Sequence, residues 1–420
     1  MKRTYIIGLF ALVGLFVKSG LVVASDAVKT TEKRQSLTLS GYVQMQYQVA
    51  DTAGMASMAG GNFASGVDNR FMIRRGRVKL AYEHDWTNAV LQVDMTEKGL
   101  ALKDAYFRLT DPWLNIASLT GGVFDRPFGY EITYSSSKRE TPERSRLFQT
   151  LFPGERDLGV RVSVKGPSGT LFSGLGLDVA LVNGNGIAVE SDHYKDLIAH
   201  LSLKRSAFSN NVAWGLGVSG YLGGPAHTSN LMYTMREWEG IPVFYAEQVE
   251  RGSRALRRYL GIDAQLAFNW APGRSQLRAE WIEGQQPGLA NASTSLTGLA
   301  GGPIYLRPFT GFYLYYIQQI LTTPLQFVWR WDLYDPNTAV GGNAIGHQVG
   351  SGARTGQADV GFATIGWGLN YQLTDKVKLM AYYDRVTNET TVNLPQASTL
   401  TDFSKDRQDN LFTVRVQYAF

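Results

Sequence analysis

Cations spaced two residues apart are the most chemically suggestive feature of the chain. Arg75, Arg77 and Lys79 occupy alternate positions, so on a strand all three side chains leave one face. Guanidinium forks and an ammonium in a row suit the holding of carboxylate or phosphate oxygens. Arg161 and Lys165 repeat the arrangement, and Lys204, Arg278, Arg330, Lys378 and Arg415 add single cations. The segment 125–156 contributes Lys138, Arg139, Arg144 and Arg146, and Arg251, Arg254, Arg257 and Arg258 form a further basic run. Chemistry that breaks bonds is poorly supplied. There is no cysteine, which removes thiol catalysis and disulfides. His84, His193, His200, His227 and His347 show no metal-ligand spacing, and no G-x-S-x-G elbow, P-loop or EF-hand loop occurs. The expectation is a protein without catalytic residues, metal or cofactor.

The elements that carry these cations alternate apolar and polar residues. In 37–49, Leu37, Leu39, Val43, Met45, Tyr47 and Val49 share one parity, and Thr38, Ser40, Gln44, Gln46 and Gln48 the other. The last ten residues, LFTVRVQYAF, do the same up to Phe420. Such period-two patterns predict about sixteen strands. They fall near 37–49, 71–83, 87–96, 101–110, 114–124, 157–166, 170–182, 194–205, 211–222, 256–269, 275–284, 309–320, 324–334, 360–372, 376–387 and 409–420. Connections mostly alternate short and long, as an up-and-down meander requires. A barrel of this size is too wide to fill with side chains, so its apolar face must look outward into lipid and its polar face inward onto water. The expected fold is all-β, a transmembrane antiparallel up-and-down barrel of about 16 strands. The cations share the inward parity with Glu83, Asp94, Asp104, Asp178, Asp196, Asp263, Glu280, Asp332 and Asp384. Cross-strand pairing between the two sets would leave the lumen nearly neutral. Trp113, Trp270, Tyr371 and Phe420, beside short turns or the terminus, fit an interfacial girdle.

Lys2 and Arg3 precede an apolar stretch from Tyr5 to Val17, and small residues lead to Ala24. This reads as a signal peptide over 1–24, followed by an extension over 25–36 and the barrel over 37–420. The formal charge of +5 includes Lys2, Arg3 and Lys18. The mature chain is then 5 − 3 = +2, which gives no support for a nucleic-acid partner.

The stretch GVFDRPFGYEITYSSSKRETPERSRLFQTLFPGERDLGVRVS, residues 122–163, resembles the strand, long loop and strand of the phosphate-selective porin O and P family. Pro127, Phe128, Gly129 and Glu131 carry the resemblance, with Glu143, Arg144 and Ser145, then Pro153 and Gly154, then Arg156, Asp157, Leu158 and Gly159. The resemblance implies a sixteen-stranded porin of the Gram-negative outer membrane, usually trimeric, whose third loop (125–156) folds into the pore as a constriction. It also implies that the terminal strand ending in Phe420 is read by the barrel-assembly machinery. Passive diffusion of small polar solutes, with a preference for anions and phosphate among them, is what the family and the cations imply together. Two alternatives stay open at this point. The apolar segment 229–250 could make the barrel a receptor or structural protein acting through its loops, or serve as a trimer contact. A barrel hydrolase would need a Ser–His–acid set on the outer face, whereas His200 by parity faces inward.

Overall fold

The computed structural model describes residues 35–348, 350 and 353–420. The expected signal peptide and the extension up to residue 34 lie outside them. The first half of the sheet comprises β1 (Gln35–Ala50), β2 (Asn69–His84), β3 (Thr87–Thr96), β4 (Gly99–Thr110), β5 (Ala117–Asp125), β6 (Arg156–Lys165), β7 (Leu175–Val182), β8 (Asp196–Ala207) and β9 (Val212–Gly223). A hairpin, β10 (Leu231–Trp238) and β11 (Ile241–Gln248), precedes the second half. That half comprises β12 (Arg257–Trp270), β13 (Gly273–Gly288), β14 (Ile304–Gln319), β15 (Leu325–Asp335), β16 (Phe362–Gln372), β17 (Val377–Asn388) and β18 (Leu411–Ala419). Of the 18 strands, β10 and β11 stand outside the wall: β9 pairs directly with β12. The remaining 18 − 2 = 16 form a closed antiparallel barrel. All sixteen expected strands are present. β1 starts at Gln35, two residues before the expected boundary.

β1 closes the ring by pairing with β2 on one side and β18 on the other, from Tyr42↔Ala419 to Ala50↔Leu411. Gly41 and Phe420 exchange backbone hydrogen bonds at 3.0 Å in both directions. The Phe420 ring lies over Gly41, where any added Cβ would meet ring carbon Cζ at 2.5 Å. The terminal aromatic therefore needs a glycine opposite it. Closure leaves the barrel without an unpaired edge.

The two faces have the solvent relation of a lipid-embedded wall. In β18, Arg415 is 2 % exposed and Thr413 and Gln417 are buried, while Val416 is 45 % exposed with Phe412, Val414 and Tyr418. The same inversion recurs on β12 (Leu260, Ile262) and β16 (Ile365, Trp367, Leu369). Among the described residues no helix is long and apolar enough to cross a membrane. Trp86, Trp113, Leu171, Phe172, Phe208, Trp270 and Leu373 are exposed at the short turns, where an interfacial belt would stand.

Sequence periodicity gave no sign of the hairpin β10–β11. Its three residues Met232–Thr234 pair in parallel with Ile304–Leu306 of β14. Val243 and Phe244 are buried, and Phe244 packs edge-on against Tyr305 at 4.9 Å. Val243 and Phe244 are thus spent against the chain itself, while Trp238 and Tyr245 of the same hairpin remain exposed.

Candidate solute-contact surface of the lumen

The segment between β5 and β6 carries the only α-helix among the described residues, α1 (Arg146–Leu151). It touches strands that stand well apart around the ring. The Gly129 N–H donates to Ser219 Oγ of β9 (2.8 Å), and the Tyr130 and Glu131 N–H groups donate to the Glu280 carboxylate of β13 (2.9 and 3.0 Å). Ser136 bonds Tyr42 of β1 (2.6 Å), and Asn370 of β16 donates to the Glu140 carbonyl (2.8 Å). Lys378 of β17 donates to the carbonyls of Ser137 and Arg139. A segment in contact with β1, β9, β13, β16 and β17 of a closed cylinder lies inside it.

An apolar contact holds it there. Phe128, Leu147, Phe148, Leu151 and Phe152 pack on Tyr221, Tyr259, Ile282, Phe309, Tyr313 and Tyr334 of the inner wall. Phe152 stands 5.0 Å from Phe128 and 5.7 Å from Tyr259, ring to ring. The inner faces of β9 and β12–β15 are therefore aromatic where the loop covers them, a local departure from the polar interior that alternation predicts. Fully burying such a ring stabilises by about 1.5–3 kcal/mol.

Residues 127–129 and 156–159 form the hinges at the two ends of the loop. Gly129 has φ +62°, and a Cβ there would run into the Glu280 carboxylate. Phe128 is fully buried and Pro127 is buried beside it. Arg156 pairs with Asp104 (3.0 Å) and Asp125 (3.1 Å). Asp157 pairs with Arg126 (2.9 Å) and accepts the Gly184 N–H (3.2 Å). A Cβ at Gly159 would strike the Leu181 carbonyl of β7. None of these groups is free to meet a solute.

The predicted cations divide into two sets. Most of those on or under the loop are paired. Arg75 holds Glu143 (2.6 Å), Arg77 holds Asp94 (3.3 Å), and Arg330 holds Asp332 (2.9 Å) and Asp384 (2.7 Å). Arg278 holds Glu140 (2.9 Å), and Arg415 reaches Glu143 (3.1 Å). Arg144 pairs with Glu155 and donates to the carbonyls of Glu131 and Ile132 (2.8 Å each). Arg146 stacks on Phe362 at 3.9 Å, Lys138 is exposed, and Arg139 is 3 % exposed with no partner on any of its three nitrogens. Burial would raise the Glu143 carboxyl, but the guanidiniums of Arg74, Arg75 and Arg415 outweigh it and hold the group well below the usual carboxylate range.

The other set lies on β2–β8, the wall the loop's aromatic face does not cover. Lys79, Lys103, Arg108, Arg161, Lys165 and Lys204 are partly or fully exposed there. None has a carboxylate within ion-pair distance, 4.0 Å. Arg108 donates to Thr120 (3.2 Å), and Arg161 stacks over Phe124 at 4.9 Å. Glu83 and Asp178 are the acids of this wall without a cationic partner, so these six cations face two unpaired acids; Arg70 and Arg205 on the same strands are held by Gln48 and by the Leu171 carbonyl instead.

Strict parity missed two of the lumen cations. The pairing of β1 with β2 skips Arg74, and that of β3 with β4 skips Lys103. Each bulge brings its extra residue to the inner side: Arg74 reaches Glu143, and Lys103 stands near Arg77, Arg156 and Asp94. The glycine in Arg74-Arg75-Gly76-Arg77 was the available signal, because a glycine within a strand often marks a bulge. Lys103 beside Asp104 was another, since two adjacent charges cannot both avoid lipid on a regular strand. Arg108 needed no bulge; it lies on the lumen parity of Asp104. Among the described residues no group of three or more metal-ligating side chains occurs.

No family model matches the chain, and no curated protein matches it either. Solved structures do. An anion-selective porin from Comamonas acidovorans aligns with TM-score 0.55 at 12 % identity, over 92 % of this chain and 100 % of that one. The outer membrane channel DcaP of Acinetobacter baumannii aligns with TM-score 0.55 at 13 % identity, over 95 % and 100 %. Pseudomonas putida OprB aligns with TM-score 0.54 at 8 % identity, over 92 % and 94 %. The chain thus has the sixteen-stranded fold of outer-membrane porins.

Proposed function

We propose that the protein is a passive outer-membrane channel for small hydrophilic solutes, with a preference for anions. The observation that carries this reading is the open wall, where six cations without carboxylate partners face two unpaired acids. Cationic side chains in a water-filled tube with low-dielectric walls concentrate anions and repel cations. The loop over 125–156 is the constriction, and its mixed charges are spent on the wall it covers. Arginine forks favour oxyanions, so carboxylates and phosphate fall within the class served. The phosphate-selective O and P family is the finer assignment, and the hinge residues 127–129 and 156–159 support it. A homotrimer in lipid, an N-terminal signal peptide and recognition of the Phe420 strand by the assembly machinery belong to the same reading.

Reconstitution in a planar bilayer under a potassium chloride gradient tests it. A stepwise current with an anion-selective reversal potential is expected. A cation-selective potential, or a sealed barrel passing no ions, would overturn it. Block of chloride current by micromolar phosphate would establish the phosphate assignment.

A further inference from the structure

The loop brings one carboxylate into a nest of guanidiniums. Arg74 donates to Glu143 through Nε and Nη2 (2.7 and 2.8 Å), and Arg75 through Nη1 and Nη2 (3.2 and 2.6 Å). Arg415 adds Nη2 at 3.1 Å. Two carboxylate oxygens thus accept five charge-assisted hydrogen bonds, two of the arginines in bidentate geometry. That is how a protein holds a free oxyanion, except that this one is covalently attached. The cluster also carries more positive charge than Glu143 neutralises. Three guanidiniums surround it directly, and Arg139 stands close enough to act on it electrostatically. Arg139 is 97 % buried by the complement of its 3 % exposure, and none of its three nitrogens has a hydrogen-bond partner. A buried guanidinium with no acceptor is costly unless something of opposite charge or a water meets it.

We propose that Arg74, Arg75 and Arg415, with Arg139 beside them, form an oxyanion-binding site whose resident ligand is the Glu143 carboxylate. Small carboxylate or phosphate anions compete with that tethered group, and Glu143 sets how tightly the channel holds them. The proposal deepens the anion-channel reading, and it rests on that reading only for its consequence in permeation. The Glu143 backbone is fixed independently of its side chain, because Arg330 Nη1 and Thr141 Oγ1 both donate to its carbonyl (3.1 and 2.9 Å). Glu131 holds the loop two residues further on, accepting the Ser145 N–H (3.1 Å) and hydroxyl (2.6 Å). Removing the Glu143 carboxylate therefore vacates the nest without freeing the loop.

The test uses the full-length purified protein and its Glu143→Gln and Glu143→Ala variants, with inorganic phosphate and acetate as probes. Binding is read by calorimetry in detergent, which needs no current, and block of chloride current is read in bilayers. Both variants should bind phosphate at least about tenfold more tightly than the parent, as expected when a competing tethered charge is lost. Millimolar acetate should return the anion-to-cation permeability ratio of Glu143→Ala toward the parental value. Adding Arg74→Ala to Glu143→Gln should abolish the gain. Equal phosphate affinity in parent and variants, or a gain that survives loss of Arg74, would overturn the site. Absence of current in every form, with phosphate binding still enhanced in the variants, would overturn the channel reading and leave the site standing.

Discussion

The two walls of the lumen are built from the same alternating strands and end up chemically opposite. On β9 and β12–β18 inner residues are covered by the loop, and buried wall arginines find acids, as Arg278 does with Glu140 and Arg330 with Asp384. On β2–β8 part of the inner face stays open: Arg75 and Arg77 are buried and paired, but Lys79, Arg108, Arg161 and Lys204 have no such partner. Burial explains the difference. An ion under the loop must be paired or bear a desolvation cost of several kcal/mol, whereas a cation facing water bears little and keeps its field. The covered wall fixes the shape of the passage, and the open wall fixes its charge.

The strongest way to break the covered wall is to empty its aromatic contact. Phe152→Ala removes a buried ring that touches Phe128, Phe148, Tyr221 and Tyr259. It should cost about 3–5 kcal/mol of stability, read by denaturant unfolding in detergent, and the freed loop should make single-channel current larger and noisier. Unchanged conductance would mean that the loop is held by its polar contacts alone. Glu280→Ala comes next. It strips the acceptor from the Tyr130 and Glu131 N–H groups and from the Tyr313 hydroxyl. Each buried donor left unsatisfied costs about 1–3 kcal/mol, so the hinge should open and conductance rise, with a loss of stability comparable to that in Phe152→Ala.

Much of the barrel could be read from the chain, and the reason is local. Alternation in 37–49 and 411–420 fixes which side chains meet lipid, because a one-residue slip would expose every polar group to it. The pairing of Arg75 with Glu143 could not be read in this way. It depends on where a 30-residue connection comes to rest, which alternation does not encode. Arg74 and Lys103 were lost for a different reason: a bulge reverses parity at one residue, and only the neighbouring glycine or charge hints at it. The hairpin at 231–248 was hidden because its strands pair outside the barrel and its apolar residues follow no lipid face.

Charge reversal sharpens the comparison where stability does not. Lys79→Glu with Arg161→Glu changes the open wall by four charges, and neither residue holds a salt bridge to break. The reversal potential should move from anion-selective toward cation-selective, a several-fold change in permeability ratio. Removing an ion pair from the covered wall, as Arg278→Gln with Glu140→Gln, should shift that ratio by less than about twofold, since a neutralised pair contributes little field at a distance. Equal shifts from the two double variants would erase the distinction between the walls.

The smallest effect expected is a pH profile that stays flat. Glu143 is a carboxyl whose folded-state pKa is depressed well below the usual range, against roughly 4.3 for an unperturbed glutamate. For a depressed acid, the stability it contributes is fully present above the unfolded value and is lost as pH falls through the folded one. Its hold on Arg74, Arg75 and Arg415 should therefore not change between neutral pH and about pH 4.3, and it should release only in stronger acid. Conductance should follow that course, flat and then changing below pH 4.3 or so. Glu143→Gln, which cannot titrate, should lack the acid step. A transition near neutral pH that disappears in Glu143→Gln would show that burial, rather than the three arginines, governs this carboxylate.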